Sequence, residues 1–128
     1  MNERAKALLF DVLESARGIH GWCANRSFHD YEADRQFRRA VEREFEIMGE
    51  ALNRLAAVDA ATASRIPELP RIVGFRNRII HGYDTLDDAT VWGVIEGHLP
   101  SLLSQVERLM AQYPQDALGD TPPGPRRT

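Results

Sequence analysis

The sequence predicts an all-α fold: an up-down bundle of about four main helices followed by a disordered tail. Three observations lead there. Apolar residues recur every three or four positions over most of the chain, which is the helix period. No stretch of useful length alternates apolar and polar residues as a half-buried strand does, and no internal repeat is present. The 128 residues suffice to bury about two-thirds of the unfolded surface, enough for one core and not for two.

The first helix is expected from Asn2 to about Cys23. Ala5, Leu8, Leu9, Val12, Leu13, Ala16, Ile19 and Cys23 form its apolar stripe. Asn2 suits an N-cap, and Gly18 and Gly21 weaken the far end. Asn25, Arg26 and Ser27 read as a connection, with Ser27 as a cap. A long amphipathic helix follows, from Phe28 to about Val58, with a separate short turn around Phe28 to Tyr31 as the alternative start. Phe37, Val41, Phe45, Met48, Leu52 and Leu55 make its apolar face, and Arg38, Arg39, Glu42, Arg43 and Glu46 fill the other.

Ala57 to Ser64 is alanine-rich and suits a short helix, which Ile66-Pro67-Glu68-Leu69-Pro70 breaks. Pro70 is placed to open a third helix, Arg71 to about His81. Ile72, Val73, Phe75, Ile79 and Ile80 are its apolar residues, and Gly82 is its stop. The last helix is expected from Thr85 to Tyr113. Thr85 and Asp88 resemble a capping box, and Asp87 adds favourable charge. Its stripe is Val91, Ile95, Leu99, Leu102, Val106, Leu109 and Met110, and Pro100 is expected to kink it. From Pro114 the composition turns to Pro, Gly, Asp and Arg. Residues 114–128 therefore read as a disordered tail behind a helical domain of residues 1–113.

Hydrophobic residues at 43% and charged residues at 27% exclude fibrous and wholly disordered classes. No apolar run reaches the roughly 18 residues of a membrane span. The N-terminus has acids at Glu3, Asp11 and Glu14 and does not read as a signal peptide. The single cysteine, Cys23, forms no internal disulfide and fits a reducing cytoplasm; it reads as a small core residue. The net charge of −3 does not advertise nucleic-acid binding by the whole surface. Yet 15 of the 16 basic residues are arginine, Lys6 being the exception. Codon bias explains that, and so does a need for phosphate-binding forks. The segment from Arg65 to His81 holds four arginines against one acid, Glu68, and marks a local anion site.

Familiar phosphate-loop, dinucleotide and zinc motifs are absent, and His20, His29, His81 and His98 lack metal-ligand spacing. His20 and His98 read as helix-surface residues, and Trp22 and Trp92 as core or interface anchors. The informative stretch is Arg76-Asn77-Arg78-Ile79-Ile80-His81-Gly82-Tyr83. At ~100° per residue, Asn77 and His81 share a face, so the amide can hold the imidazole tautomer. Arg76 and His81 stand roughly 140° apart on an ideal helix. Either the helix ends near His81 and the ring swings round, or a second subunit completes the site. Ile79 and Ile80 are expected to anchor the turn in the core, and Gly82 to aim Tyr83 outward. These groups suit RNA cleavage by the neighbouring 2′-hydroxyl without a metal. Histidine moves the protons, and arginine stabilises charge on phosphorus. The plainer alternative is helix capping by His81 and Tyr83, with surface ion pairs at Arg76 and Arg78.

The sequence resembles the HepT-like toxins of the HEPN superfamily over about residues 4–112. Arg76, Asn77, His81 and Tyr83 match the family motif without a gap. Ile47-Met48-Gly49-Glu50-Ala51, Ile66-Pro67, Ile72-Val73-Gly74-Phe75, Val91-Trp92 and Leu99-Pro100 match its surroundings. The resemblance implies a helical homodimer with the two motifs facing each other, and a metal-independent ribonuclease acting on RNA, tRNA included. Arg76 and His81 would be the catalytic pair, Asn77 a support for the histidine, and Glu50 a group that orients Arg76. Arg78 would contact RNA backbone. The resemblance further implies a toxin of a type VII-like toxin-antitoxin system, silenced when a cognate MNT-type nucleotidyltransferase antitoxin attaches AMP to Tyr83. No cofactor and no membrane association are expected. The alternative from another class is a non-catalytic helical scaffold that binds a nucleotidyltransferase or a nucleotide.

Overall fold

A computed structural model of the chain describes residues 2–112, all of them outside β-structure. Among these residues the elements are α1 (Glu3–Cys23), α2 (Phe28–Ala33), α3 (Arg35–Val58), α4 (Ala60–Ala63), α5 (Leu69–His81), a 3₁₀ turn (Tyr83–Thr85), α6 (Asp88–Gly97) and α7 (Leu99–Gln112). The all-α expectation holds. The expected helix end at Tyr113 and the expected tail 114–128 lie outside the described residues.

Side-chain caps set most of the boundaries. Asn2 Oδ1 accepts from the Ala5 N–H at 2.7 Å and starts α1. Ser27 and Asp30 form a reciprocal capping box and start α2. The long second helix is therefore interrupted. At Asp34 the backbone turns extended (φ −118°, ψ 101°), and its carboxylate caps α3 through the Phe37 N–H at 3.0 Å. The alanine-rich run divides likewise. Ala57 and Val58 finish α3, and Asp59 caps the one-turn α4. α5 opens one residue earlier than expected, with Pro70 inside its first turn.

The expected last helix is two helices. Asp87, not Thr85, is the cap, accepting from the Thr90 N–H at 2.7 Å, while Thr85 belongs to the 3₁₀ turn. The chain then breaks at His98 (φ −125°, ψ −31°). The His98 N–H still closes α6 on the Val94 carbonyl, and its own carbonyl opens α7 toward Leu102. Pro100, which has no N–H, sits in the first turn of α7 and is tolerated there. The break takes the place of the expected kink. His98 is half-buried and pairs through Nδ1 with Glu68 Oε1 at 3.1 Å. It ties the α6–α7 junction to the start of α5 instead of standing on a helix surface.

α3 is the central helix, packed between α1 and α5, with α7 against α1 and α6 against α2 and α7. Arg39 on α3 reaches Tyr83 just past the end of α5, and Glu50, farther along α3, meets Arg76 earlier in α5, so the two helices are antiparallel. Leu9, Ile19, Phe45, Met48, Leu52, Ile72 and Leu102 are fully buried at the centre. Phe45 and Phe75 meet edge to face at 5.0 Å between centroids. Trp92 joins Phe28 and Tyr31 in a second aromatic group, whereas Trp22 is exposed. Cys23 is half-buried, and burial raises its thiol pKa. No helix among the described residues is long and apolar enough to cross a membrane.

Candidate active site

α5 crosses α3 at Gly49, and this crossing builds the site. A Cβ at Gly49 would lie 2.3 Å from Arg76 Cβ and 2.6 Å from its Cγ. Only hydrogen at this position lets the Arg76 stem lie flat against α3. The stem carries the guanidinium to the next residue of α3, where Nη2 donates to Glu50 Oε1 at 2.5 Å. Nη1 donates to Asn77 Oδ1 at 3.0 Å. The Arg76 side chain is 21% exposed, and its Nε is buried with no partner among the described residues. Glu50 also accepts from Arg54 Nε at 2.8 Å. That bond, followed by the charges of Arg76 and Arg54, holds the Glu50 carboxyl below its ordinary pKa.

Glu50 and Arg76 thus meet as expected from the resemblance. Asn77 does not meet its expected partner. Its amide oxygen serves Arg76, and among the described residues no hydrogen bond joins it to His81. The guanidinium is a charged donor and binds the amide carbonyl strongly. His81 is the last residue of α5 and is exposed. The helix ends at His81, as expected, and among the described residues no hydrogen bond joins its ring to Arg76.

Ile80 is not a core anchor: it is 45% exposed, while Ile79 is buried. One helical step of ~100° carries it off the core face. Gly82 caps α5 at φ −124°, a conformation open to other residues, so the turn does not depend on glycine. Thr85 closes it by donating both its N–H and its Oγ1 to the Gly82 carbonyl at 2.9 Å. Tyr83 is 44% exposed, as its placement beyond the helix end predicts. Arg78 donates to the Thr85 carbonyl at 3.3 Å and lines an open groove of about 520 Å³ between α5 and α6.

Two contributors escaped the sequence reading. Gly49 was visible only as part of a motif, although a glycine inside a long helix signals close approach. Arg39 passed for an ordinary solvated charge, yet its guanidinium lies 5.2 Å from the centroid of the Tyr83 ring. No three His, Cys, Asp or Glu side chains cluster as a metal site among the described residues.

A helical domain that braces one arginine and presents a histidine and a tyrosine at the same helix end defines a class. The family model described as "Ribonuclease HepT-like" matches residues 12–109, and the chain belongs to that family, within the HEPN superfamily. A Methanocaldococcus jannaschii protein named "Putative RNase" is 30% identical over 80% of this chain and 93% of its own length. A Thermococcus cleftensis protein named "Probable ribonuclease HepT" is 29% identical over 85% of this chain and 98% of its own. No solved structure matches the chain.

Proposed function

We propose that this chain is a metal-independent endoribonuclease, the toxin of a type VII-like toxin-antitoxin system, acting in the cytoplasm on RNA such as tRNA. The braced Arg76 is the observation that carries the reading. A guanidinium fixed by Glu50 and Asn77 is preorganised, so little reorganisation is needed when charge develops on phosphorus. In the reaction the 2′-oxygen bonds to phosphorus, the bond to the 5′-oxygen breaks, and a 2′,3′-cyclic phosphate forms. One imidazole takes the 2′-proton and a second gives a proton to the leaving 5′-oxygen.

One chain supplies a single His81 and the reaction uses two imidazoles, so the reading requires a homodimer. The exposed Ile80, four residues after Arg76 and three before Tyr83, offers apolar surface for that contact. Arg78 contacts RNA backbone beside the site. The cognate MNT-type nucleotidyltransferase silences the toxin by attaching AMP to Tyr83, because a nucleotide there fills the space and repels an RNA phosphate. Expression without the partner is expected to depress growth, and His81→Ala to relieve it. Equal toxicity of the His81→Ala chain would overturn the catalytic assignment. A chain that binds the partner and never affects growth would be the non-catalytic scaffold.

A further inference from the structure

We infer that Arg39 is the positioning residue for nucleotidyl transfer onto Tyr83: it holds the phenol ring before transfer and pairs with the new phosphate after it. The inference rests on the reading of Tyr83 as the acceptor. Tyr83 leaves the end of α5 in a three-residue 3₁₀ turn and is well exposed. Such a side chain is free to sample many rotamers, which slows attack on a phosphorus that needs one line of approach. Among the described residues, the contact recorded for its ring is the Arg39 guanidinium, 5.2 Å from the centroid. That is within cation–π range.

Arg39 also keeps bonding capacity, and it is the arginine that touches the Tyr83 ring. Arg76 is committed to Glu50 and Asn77, and Arg78 reaches the Thr85 carbonyl on the side of α6. Farther along the same face of α3, Arg43 pairs with Glu46 at 3.1 Å and Arg54 with Glu50 at 2.8 Å. The Arg39–Glu42 pair is looser, at 3.5 Å, and the Arg39 side chain is 45% exposed. Glu42 is buried and takes Arg39 through Nη1 alone, so it tethers the side chain and leaves the other nitrogens of the guanidinium. The remaining N–H groups suit a phosphate oxygen.

In the transfer, Tyr83 Oη bonds to the α-phosphorus of ATP held by the nucleotidyltransferase. The bond from that phosphorus to the β-bridging oxygen breaks, and pyrophosphate leaves. The phenol proton passes to a base of the partner or to water. The product phosphodiester carries one negative charge on the Tyr83 side chain, within reach of Arg39. Pairing there holds the nucleotide close to the motif instead of letting it swing into solvent.

The test incubates the full-length chain with its cognate nucleotidyltransferase and ATP labelled on the α-phosphate. Label at Tyr83 is followed over time, with Tyr83→Phe as the blank. Arg39→Gln is expected to slow incorporation about tenfold or more, the scale of a lost charge-assisted hydrogen bond. Arg39→Lys, which keeps the charge and loses the fork, is expected to fall between it and the wild type. Arg43→Gln, one turn away on the same face, is expected to match the wild type. Thermal unfolding of each variant separates lost folding from lost positioning. A wild-type rate in Arg39→Gln overturns the inference, as does a lysine variant no faster than the glutamine one. No label on the wild-type chain overturns the acceptor reading itself, and the Arg39 role with it.

Discussion

Adding one methyl group at Gly49 tests the crossing that braces Arg76. In Gly49→Ala the new Cβ would sit 2.3 Å from Arg76 Cβ and 2.6 Å from Cγ. Comfortable carbon contacts begin near 3.5 Å, so the overlap exceeds about 1 Å. Both contacted atoms lie close to the α5 backbone, so a rotamer change relieves little. Overpacking of this kind costs roughly 1–3 kcal/mol. The same methyl also improves helix propensity by about 0.5–1 kcal/mol, which blurs the result of a single variant.

Gly74→Ala supplies the control. Gly74 lies inside α5, and a Cβ there meets nothing within 4 Å. The propensity gain is common to both variants, so their difference isolates the overlap. Urea unfolding is expected to find Gly74→Ala more stable than the wild type and Gly49→Ala about 1–3 kcal/mol below Gly74→Ala. RNA cleavage is expected to fall about 10²-fold in Gly49→Ala, the scale of a 1 Å misplacement. Equal stability of the two alanine variants would refute the close crossing and the bracing of Arg76 with it.

Other expectations follow from the same geometry. Glu50→Gln keeps the shape and removes the charge beside Arg76. It is expected to lower cleavage while changing stability by no more than about 1 kcal/mol, because the pair is partly solvated. The Glu50 pKa is depressed, so its stabilising contribution is present above the unfolded carboxylate range. It is lost as pH falls through the lowered native value, which an acid titration of wild type against Glu50→Gln reads directly. Asp87→Ala removes the cap of α6 and is expected to lower the melting temperature at neutral pH. Thr90 depresses the Asp87 pKa, so that difference is expected to vanish as pH falls through the lowered value. Phe45→Ala empties a fully buried position against Phe75 and is expected to cost about 3–5 kcal/mol in urea unfolding. Ile80→Glu is expected to dissociate the proposed homodimer, read by light scattering.

The helical stripes of α1, α3 and α5 were legible because burial on one face imposes a period, and Val12, Phe45 and Ile72 all fall on it. The breaks were not legible from periodicity. Val91, Ile95, Leu99 and Leu102 stay in phase across His98, so a split and a continuous helix present the same apolar pattern. Asp34 was a readable cap residue, but the apolar run continued on either side of it. At the site, the local spacing of Arg76, Asn77, His81 and Tyr83 was visible because they share one helix end. The Glu50–Arg76 pair spans 26 positions, and no local rule gives that contact; family resemblance supplied the expectation. The bond from Arg76 to Asn77 was not foreseen, because facing positions say which groups can meet and not which of them pair.

The central claim is that Arg76 and His81 cut RNA. The purified chain, made without its partner, is incubated with total tRNA in EDTA beside His81→Ala, and the RNA is resolved on a denaturing gel. Cleavage by the wild type, ending in 2′,3′-cyclic phosphates, and none by His81→Ala is the predicted result. Intact RNA in the wild-type lane, with Tyr83 unmodified by mass, would contradict it.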